Sequence, residues 1–84
     1  MNKTVLIIDD DDMLRKTLAS GLRDNSFDVL TANSAETGAE ILSRVSVDAV
    51  ILDRMLGGTD GLTMLHEMRA RGVTIPVIML TAMG

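Results

Sequence analysis

Thr4-Val5-Leu6-Ile7-Ile8-Asp9-Asp10-Asp11-Asp12 is the stretch on which the fold turns. A β-branched, continuously apolar run stops abruptly at four consecutive acids. So short a run without polar alternation reads as a strand buried on both faces. Such strands belong to parallel sheets covered by helices on each side. Outward from it, the chain alternates. Met13–Asn25 places Leu14, Leu18 and Leu22 at four-residue spacing, with Arg15, Lys16 and Arg23 elsewhere, which predicts an amphipathic helix. Phe27–Ala32 sets Phe27, Val29 and Thr31 against Asp28 and Leu30, which suits an outer strand. Ser34 can cap a helix from Ala35 to about Val45, with Ala39, Leu42 and Ile41 facing inward. Ala49–Leu52 is a third apolar strand ending at Asp53, and Gly57-Gly58-Thr59 reads as a loop. Asp60 can cap a third helix with Leu62, Leu65 and Met68 on one face, stopped by Gly72. Ile75–Leu80 is the fourth strand, with Pro76 near its start, where no ladder donor is needed.

The composition agrees with this reading. The chain has 84 residues, 8 basic and 12 acidic side chains and a net charge of −4. That length allows one domain, which buries roughly 63% of the surface its unfolded chain exposes. Phe27 is the only aromatic residue, so the core must come from Leu, Ile, Val, Ala and the seven Met. Without cysteine there is no disulfide framework, thiolate zinc site or Cys nucleophile, which fits a reducing compartment. The apolar runs are far too short to span a membrane. Acids stand at positions 9–12, where a signal peptide would continue its apolar stretch, so the expected location is cytoplasmic. Net acidity, with no basic stripe and no stacking aromatics, argues against nucleic-acid binding by this segment.

The β-α-β-α-β-α-β alternation implies an α/β fold with right-handed crossovers between parallel strands. The commonest small arrangement orders the strands 2-1-3-4 and opens a crevice at the carboxyl ends of strands 1 and 3. Asp9 and Asp10 end strand 1, Asp53 ends strand 3 and Thr81 ends strand 4, so three segments deliver oxygen groups to one edge. Carboxylates about 4 Å apart repel by ~1 kcal/mol in water and ~4 kcal/mol near a protein surface. Such a cluster needs a cation, a shared proton or open solvent. Oxygen ligands without Cys or a nearby His select a hard ion, and Mg2+ suits two carboxylates plus waters and a phosphate. A carboxylate can also attack phosphorus and form an acyl phosphate. Asp53, alone at the tip of a central strand, is the best nucleophile; Asp9 and Asp10 would hold Mg2+ beside it, and Thr81 could donate to a phosphoryl oxygen.

Four stretches then resemble one family in order and spacing: Val5-Leu6-Ile7-Ile8-Asp9-Asp10-Asp11, Val50-Ile51-Leu52-Asp53-Arg54-Met55-Leu56, Asp60-Gly61, and Pro76-Val77-Ile78-Met79-Leu80-Thr81-Ala82. They look like the receiver domain of bacterial two-component response regulators, whose fold is flavodoxin-like (CheY-like). The wording Leu-Asp-Arg-Met-Leu and Leu-Thr-Ala is most similar to the winged-helix DNA-binding (OmpR-like) subfamily. The resemblance implies that Asp53 is the phosphoacceptor, that Asp10 ligates Mg2+ directly, and that Asp9 acts largely through water. It also implies the Met55 main-chain carbonyl as a further metal ligand, Thr81 as a switch hydroxyl and a sensor histidine kinase as phosphoryl donor.

The resemblance also sets expectations for what differs. Receivers usually continue through a fourth helix, a fifth strand carrying a lysine and an aromatic switch residue, and a fifth helix, so residues 1–84 are expected to be a C-terminally truncated receiver, impaired in switching. Lys3 and Lys16, the only lysines, stand at the wrong end of the topology to replace that lysine. An uncovered fourth strand is expected to pair with a second copy. Gly57 stands where the family usually has Pro, which predicts a looser loop presenting the Met55 carbonyl. Two other readings stay open: an aspartate-nucleophile phosphatase-like fragment using Asp9 and Asp11, and a non-signalling oligomeric fragment. Of the remaining polar residues, Asp11 and Asp12 read as capping and first-turn acids, and Asp60 as a cap. Arg54 reads as a gate, a partner contact or a solvated side chain, and His66 as solvated.

Overall fold

The computed structural model describes residues 2–81; Ala82, the last residue of the fourth family stretch, lies outside the described residues. The elements are β1 (Thr4–Ile8), α1 (Asp12–Asp24), β2 (Asp28–Ala32), α2 (Ala35–Arg44), β3 (Ala49–Asp53), β4 (Met55–Leu56), β5 (Thr59–Asp60), α3 (Gly61–Ala70) and β6 (Val77–Leu80). Four strands form one parallel sheet in the order β2-β1-β3-β6, the predicted 2-1-3-4. The described residues contain three helices.

Strand pleating divides the core into two layers. Leu6, Ile8, Ala32, Val50 and Leu52 point to one face, where Met64 and Met68 of α3 close over them and Ile41 and Leu42 of α2 pack alongside. Val5, Ile7 and Val29 point to the other, against Ala19, Leu18 and Leu22 of α1. Leu6, Ile7, Ile8, Val50 and Leu52 are wholly buried. Each contributes about 1.5–3 kcal/mol of apolar burial. The caps match the sequence reading. Asp11 accepts from the Leu14 N–H at 3.1 Å, Ser34 from Thr37 at 3.1 Å and Asp60 from Leu62 at 2.9 Å.

Three expectations are corrected. In α2 the inward residue is Gly38, and Ala39 is exposed. The helix lies so close to the sheet that a Cβ on Gly38 would stand 2.5 Å from Ile8 Cδ1. In α3 the buried face is Gly61, Met64 and Met68, with Leu65 half-buried, and Leu62 turns outward. Close packing at Gly61 sets that helix's rotation, as described below.

The third correction concerns residues 55–60. In place of a loose loop, they form an antiparallel hairpin pairing Met55 with Asp60 and Leu56 with Thr59. Gly57 has φ +60° and Gly58 does not share the positive sign, the pattern of a type II′ turn. Proline, locked near φ −65°, cannot take that position. Glycine at 57 therefore suits this turn, where proline would not.

Candidate functional site

Parallel register brings the acids together. Ile8 pairs with Leu52, so Asp9 and Asp53, each one step further along, stand level at the carboxyl edge of the sheet. Asp53 pairs in turn with Leu80, which places Thr81, exposed, one step beyond on the neighbouring strand. Carboxylate oxygens of Asp9, Asp10 and Asp53 lie within 4.8 Å of one another. Asp10 is exposed and Asp53 half-buried, whereas Asp9 is completely buried.

The Asp9 side chain is only half satisfied. Its Oδ1 accepts from the Asp11 N–H at 2.8 Å. Its Oδ2 is buried without a donor. Burial raises the Asp9 carboxyl above the ordinary carboxylate range, and the charges of Asp53 and Asp10 push the same way; the Asp11 N–H offsets part of this. Two facing carboxylates are both acceptors. The Asp9–Asp53 pair therefore needs either a shared proton or a cation between its oxygens. An orphaned buried oxygen, three clustered carboxylates and no Cys or His in the set together fit a hard, oxygen-seeking divalent ion.

The segment after Asp53 folds back toward the cluster. Asp53 Oδ1 accepts from the Met55 N–H at 3.2 Å, a local turn that ties the Met55 peptide to the phosphoacceptor candidate. The Asp10 carboxylate faces Gly57, with 3.8 Å between its Oδ2 and the Cβ that Gly57 lacks. Gly61 opens α3 directly against the main chain of Asp53 and Arg54. Its N–H donates to the Arg54 carbonyl at 2.6 Å, and a Cβ there would meet the Asp53 carbonyl oxygen and approach Arg54 Cα to 2.9 Å. Arg54 itself is half-exposed and forms an ion pair with Asp60 at 3.5 Å.

The structure thus brings Asp9, Asp10 and Asp53 together, with Met55 tied to Asp53 and Thr81 on the adjoining strand. The Asp11 carboxylate is not among the clustered oxygens and instead caps α1, while the Asp11 N–H serves Asp9. Sequence reasoning missed two residues. Gly61 follows the capping Asp60, and its value lies in a backbone approach that only coordinates reveal. Arg15 was assigned to the polar side of α1, yet its side chain is only 14% exposed and its guanidinium donates to the Asp9 carbonyl at 2.8 Å. The signal available was its position one turn after the acids.

Comparison with known proteins gives a consistent result. A family model described as "Response regulator receiver domain" matches residues 5–84. The chain is 36% identical over 78 residues to protein RcaC of Microchaete diplosiphon, covering 93% of this chain and 12% of that protein. It is 32% identical over 82 residues to the alkaline phosphatase synthesis transcriptional regulatory protein PhoP of Bacillus subtilis (strain 168), covering 98% and 34%. The chain therefore spans about a third or less of these curated relatives. Among solved structures, it is similar to a response regulator from Chloroflexus aurantiacus J-10-fl, with a TM-score of 0.94 and 36% identity over 100% of this chain and 70% of that one. It is also similar to the BeF3-activated receiver domain of Klebsiella pneumoniae RstA, with a TM-score of 0.90 and 27% identity over 98% and 69%.

Proposed function

Because the chain belongs to the response regulator receiver family, a family of phosphoacceptor modules and not of turnover enzymes, we propose that Asp53 is its phosphoacceptor. The observation that carries this assignment is the convergence of Asp9, Asp10 and Asp53 at one edge, with Asp53 the member both accessible and placed on a central strand. A carboxylate oxygen of Asp53 attacks the phosphorus of a phosphohistidine. The new O–P bond forms as the N–P bond breaks, and the imidazole leaves with that electron pair. The half-buried position of Asp53 leaves the residue partly accessible to a donor, while the Met55 N–H holds Oδ1 and orients the carboxylate. Thr81 would donate its hydroxyl to a phosphoryl oxygen, a role supported by its position one step past the partner of Asp53.

Asp9, Asp10, Asp53 and the Met55 carbonyl would hold Mg2+, which when bound supplies positive charge to the phosphoryl oxygens and to the crowded carboxylates. Asp10, exposed at the rim, is the direct ligand in this reading, and buried Asp9 acts through water. The donor is a sensor histidine kinase. Similarity to transcriptional regulators such as PhoP supports a role in transcription control, exercised by a winged-helix output region of a longer cytoplasmic protein, with residues 1–84 as the first part of its receiver. No helix among the described residues is long and apolar enough to cross a membrane. Strand β6, outermost in the sheet and carrying Ile78 at 57% exposure, supports pairing of this segment with a second copy.

Acetyl phosphate or phosphoramidate with Mg2+ should label the chain at Asp53, and Asp53→Asn should abolish the label. Label that survives Asp53→Asn but disappears in Asp9→Asn would instead establish the phosphatase-like reading.

A further inference from the structure

Arg15 is bound into the rim in a way that its place in the sequence does not suggest. It lies in the first turn of α1 region that follows the acids, and two of its guanidinium nitrogens are engaged. Nη1 donates to the Asp9 main-chain carbonyl at 2.8 Å, and Nη2 pairs with the Asp12 carboxylate. The Asp9 residue is thereby tied at every polar atom but one. Its N–H donates to the Ala32 carbonyl of β2 at 3.1 Å, its Oδ1 accepts from Asp11, and its carbonyl accepts from Arg15. The remaining atom is Oδ2, buried without a partner.

The carbonyl that Arg15 holds belongs to the peptide joining Asp9 to Asp10. Asp9 already lies beyond Ile8, the last paired residue of β1, so the sheet ladder no longer fixes this peptide's plane. A charge-assisted bond from a largely buried guanidinium does so instead. Asp10 is exposed, and its backbone root is that peptide. Holding the plane therefore steadies the backbone from which Asp10 presents its carboxylate.

We infer that Arg15 is a positioning residue for divalent-cation binding: by gripping the Asp9 carbonyl it pre-aims Asp10 at the ion. This rests on the metal-binding reading of the rim given above. It makes a prediction opposite in sign to that of simple electrostatics. Arg15 is a cation bound to the main chain of one of the three clustered acids, so its charge alone opposes Mg2+ binding, and removing it should tighten the site. Loss of the carbonyl grip should loosen it, on the order of tenfold, as supporting contacts around metal ligands commonly do.

The test titrates Mg2+ alone into the 84-residue chain by calorimetry, with circular dichroism verifying the fold of each variant. R15Q should weaken Mg2+ binding about tenfold. R15K keeps the charge but offers one donor group for two acceptors, and should fall between R15Q and the unaltered chain. D12A removes the ion pair and leaves the carbonyl contact, and should stay within about twofold of the unaltered chain. A metal-free readout accompanies these: the Asp10 amide resonance should shift in R15Q and R15K and not in D12A. Affinity that is unchanged or tighter in R15Q overturns the inference, as does a loss in D12A equal to that in R15Q. If R15Q fails to fold, R15K decides alone, and unaltered affinity there overturns it. Should the unaltered chain show no Mg2+ binding that Asp10→Ala removes, the metal reading itself fails, and the inference with it.

Discussion

Val5–Ile8 and Val77–Leu80 read almost alike as sequence, yet the fold gives them opposite surroundings. β1 is flanked by β2 and β3, and Leu6, Ile7 and Ile8 are fully buried. β6 is paired on one side only; Val77, Met79 and Leu80 are half-buried, and Ile78 is 57% exposed. The two layers explain the difference. Val77 and Met79 join the face covered by α2 and α3, whereas the layer under α1 on the opposite face is built from β1 and β2, with Ile51 of β3 at its margin and no residue of β6. An apolar strand thus declares that it can be buried, and its place in the sheet decides whether it is.

The sharpest way to break this contrast is paired truncation. Leu6→Ala should cost about 2–5 kcal/mol, because the cavity it leaves is enclosed on all sides. Ile78→Ala should cost about 0.5 kcal/mol or less. Urea melts of the two variants, diluted until the chain is monomeric, measure both values, and similar losses there would mean that β6 is covered as well as β1 within one chain.

The strand tips differ as well. β1 ends in a buried carboxylate with an unpartnered oxygen, and β6 in an exposed hydroxyl. Because burial raises the Asp9 carboxyl, the native metal-free chain holds that proton more tightly than the unfolded chain does. The resulting penalty is absent below the ordinary aspartate range, where the unfolded chain titrates. It grows as pH rises through that range and is complete above the higher native value. At pH 7 without metal, Asp9→Asn should therefore raise the thermal midpoint, and the gain should shrink as the pH is lowered through this window. Thr81→Ala should leave both the midpoint and its pH slope nearly unchanged. An Asp9→Asn variant with no gain at pH 7 would show that the carboxylate is already compensated.

The smallest effect on stability should accompany a plain effect on assembly. Ile78→Lys should shift the chain from paired copies to monomer in light scattering at micromolar concentration, losing only the stability that pairing contributes, so that both chains melt alike once diluted to monomer. A compact monomer before the substitution would remove the proposed pairing through β6.

Much of this was legible in sequence because it depends on local chemistry. Apolar runs gave the strands, acids and Ser34 gave the caps, and parallel register turned separated acids into one rim. What escaped was set by close approach between elements. Gly38 faces inward and Ala39 does not because α2 nearly touches Ile8, which fixes a rotation that ten residues of helix leave open. The same holds for Met64 over Leu62 in α3. Arg15 was illegible for a related reason: a basic residue on a helix reads as solvated until the helix is docked and its reach to a particular carbonyl can be measured.

Gly61 carries one further consequence. Its missing methyl group lets the first turn of α3 rest on the peptide that follows Asp53, backbone on backbone, with a hydrogen bond across the seam. Main-chain atoms cannot swing aside as side chains do, so this joint has no slack. A displacement of the chain behind Asp53 must be passed to the start of α3, and a load applied to α3 must be felt in the same place, as two ends of one lever.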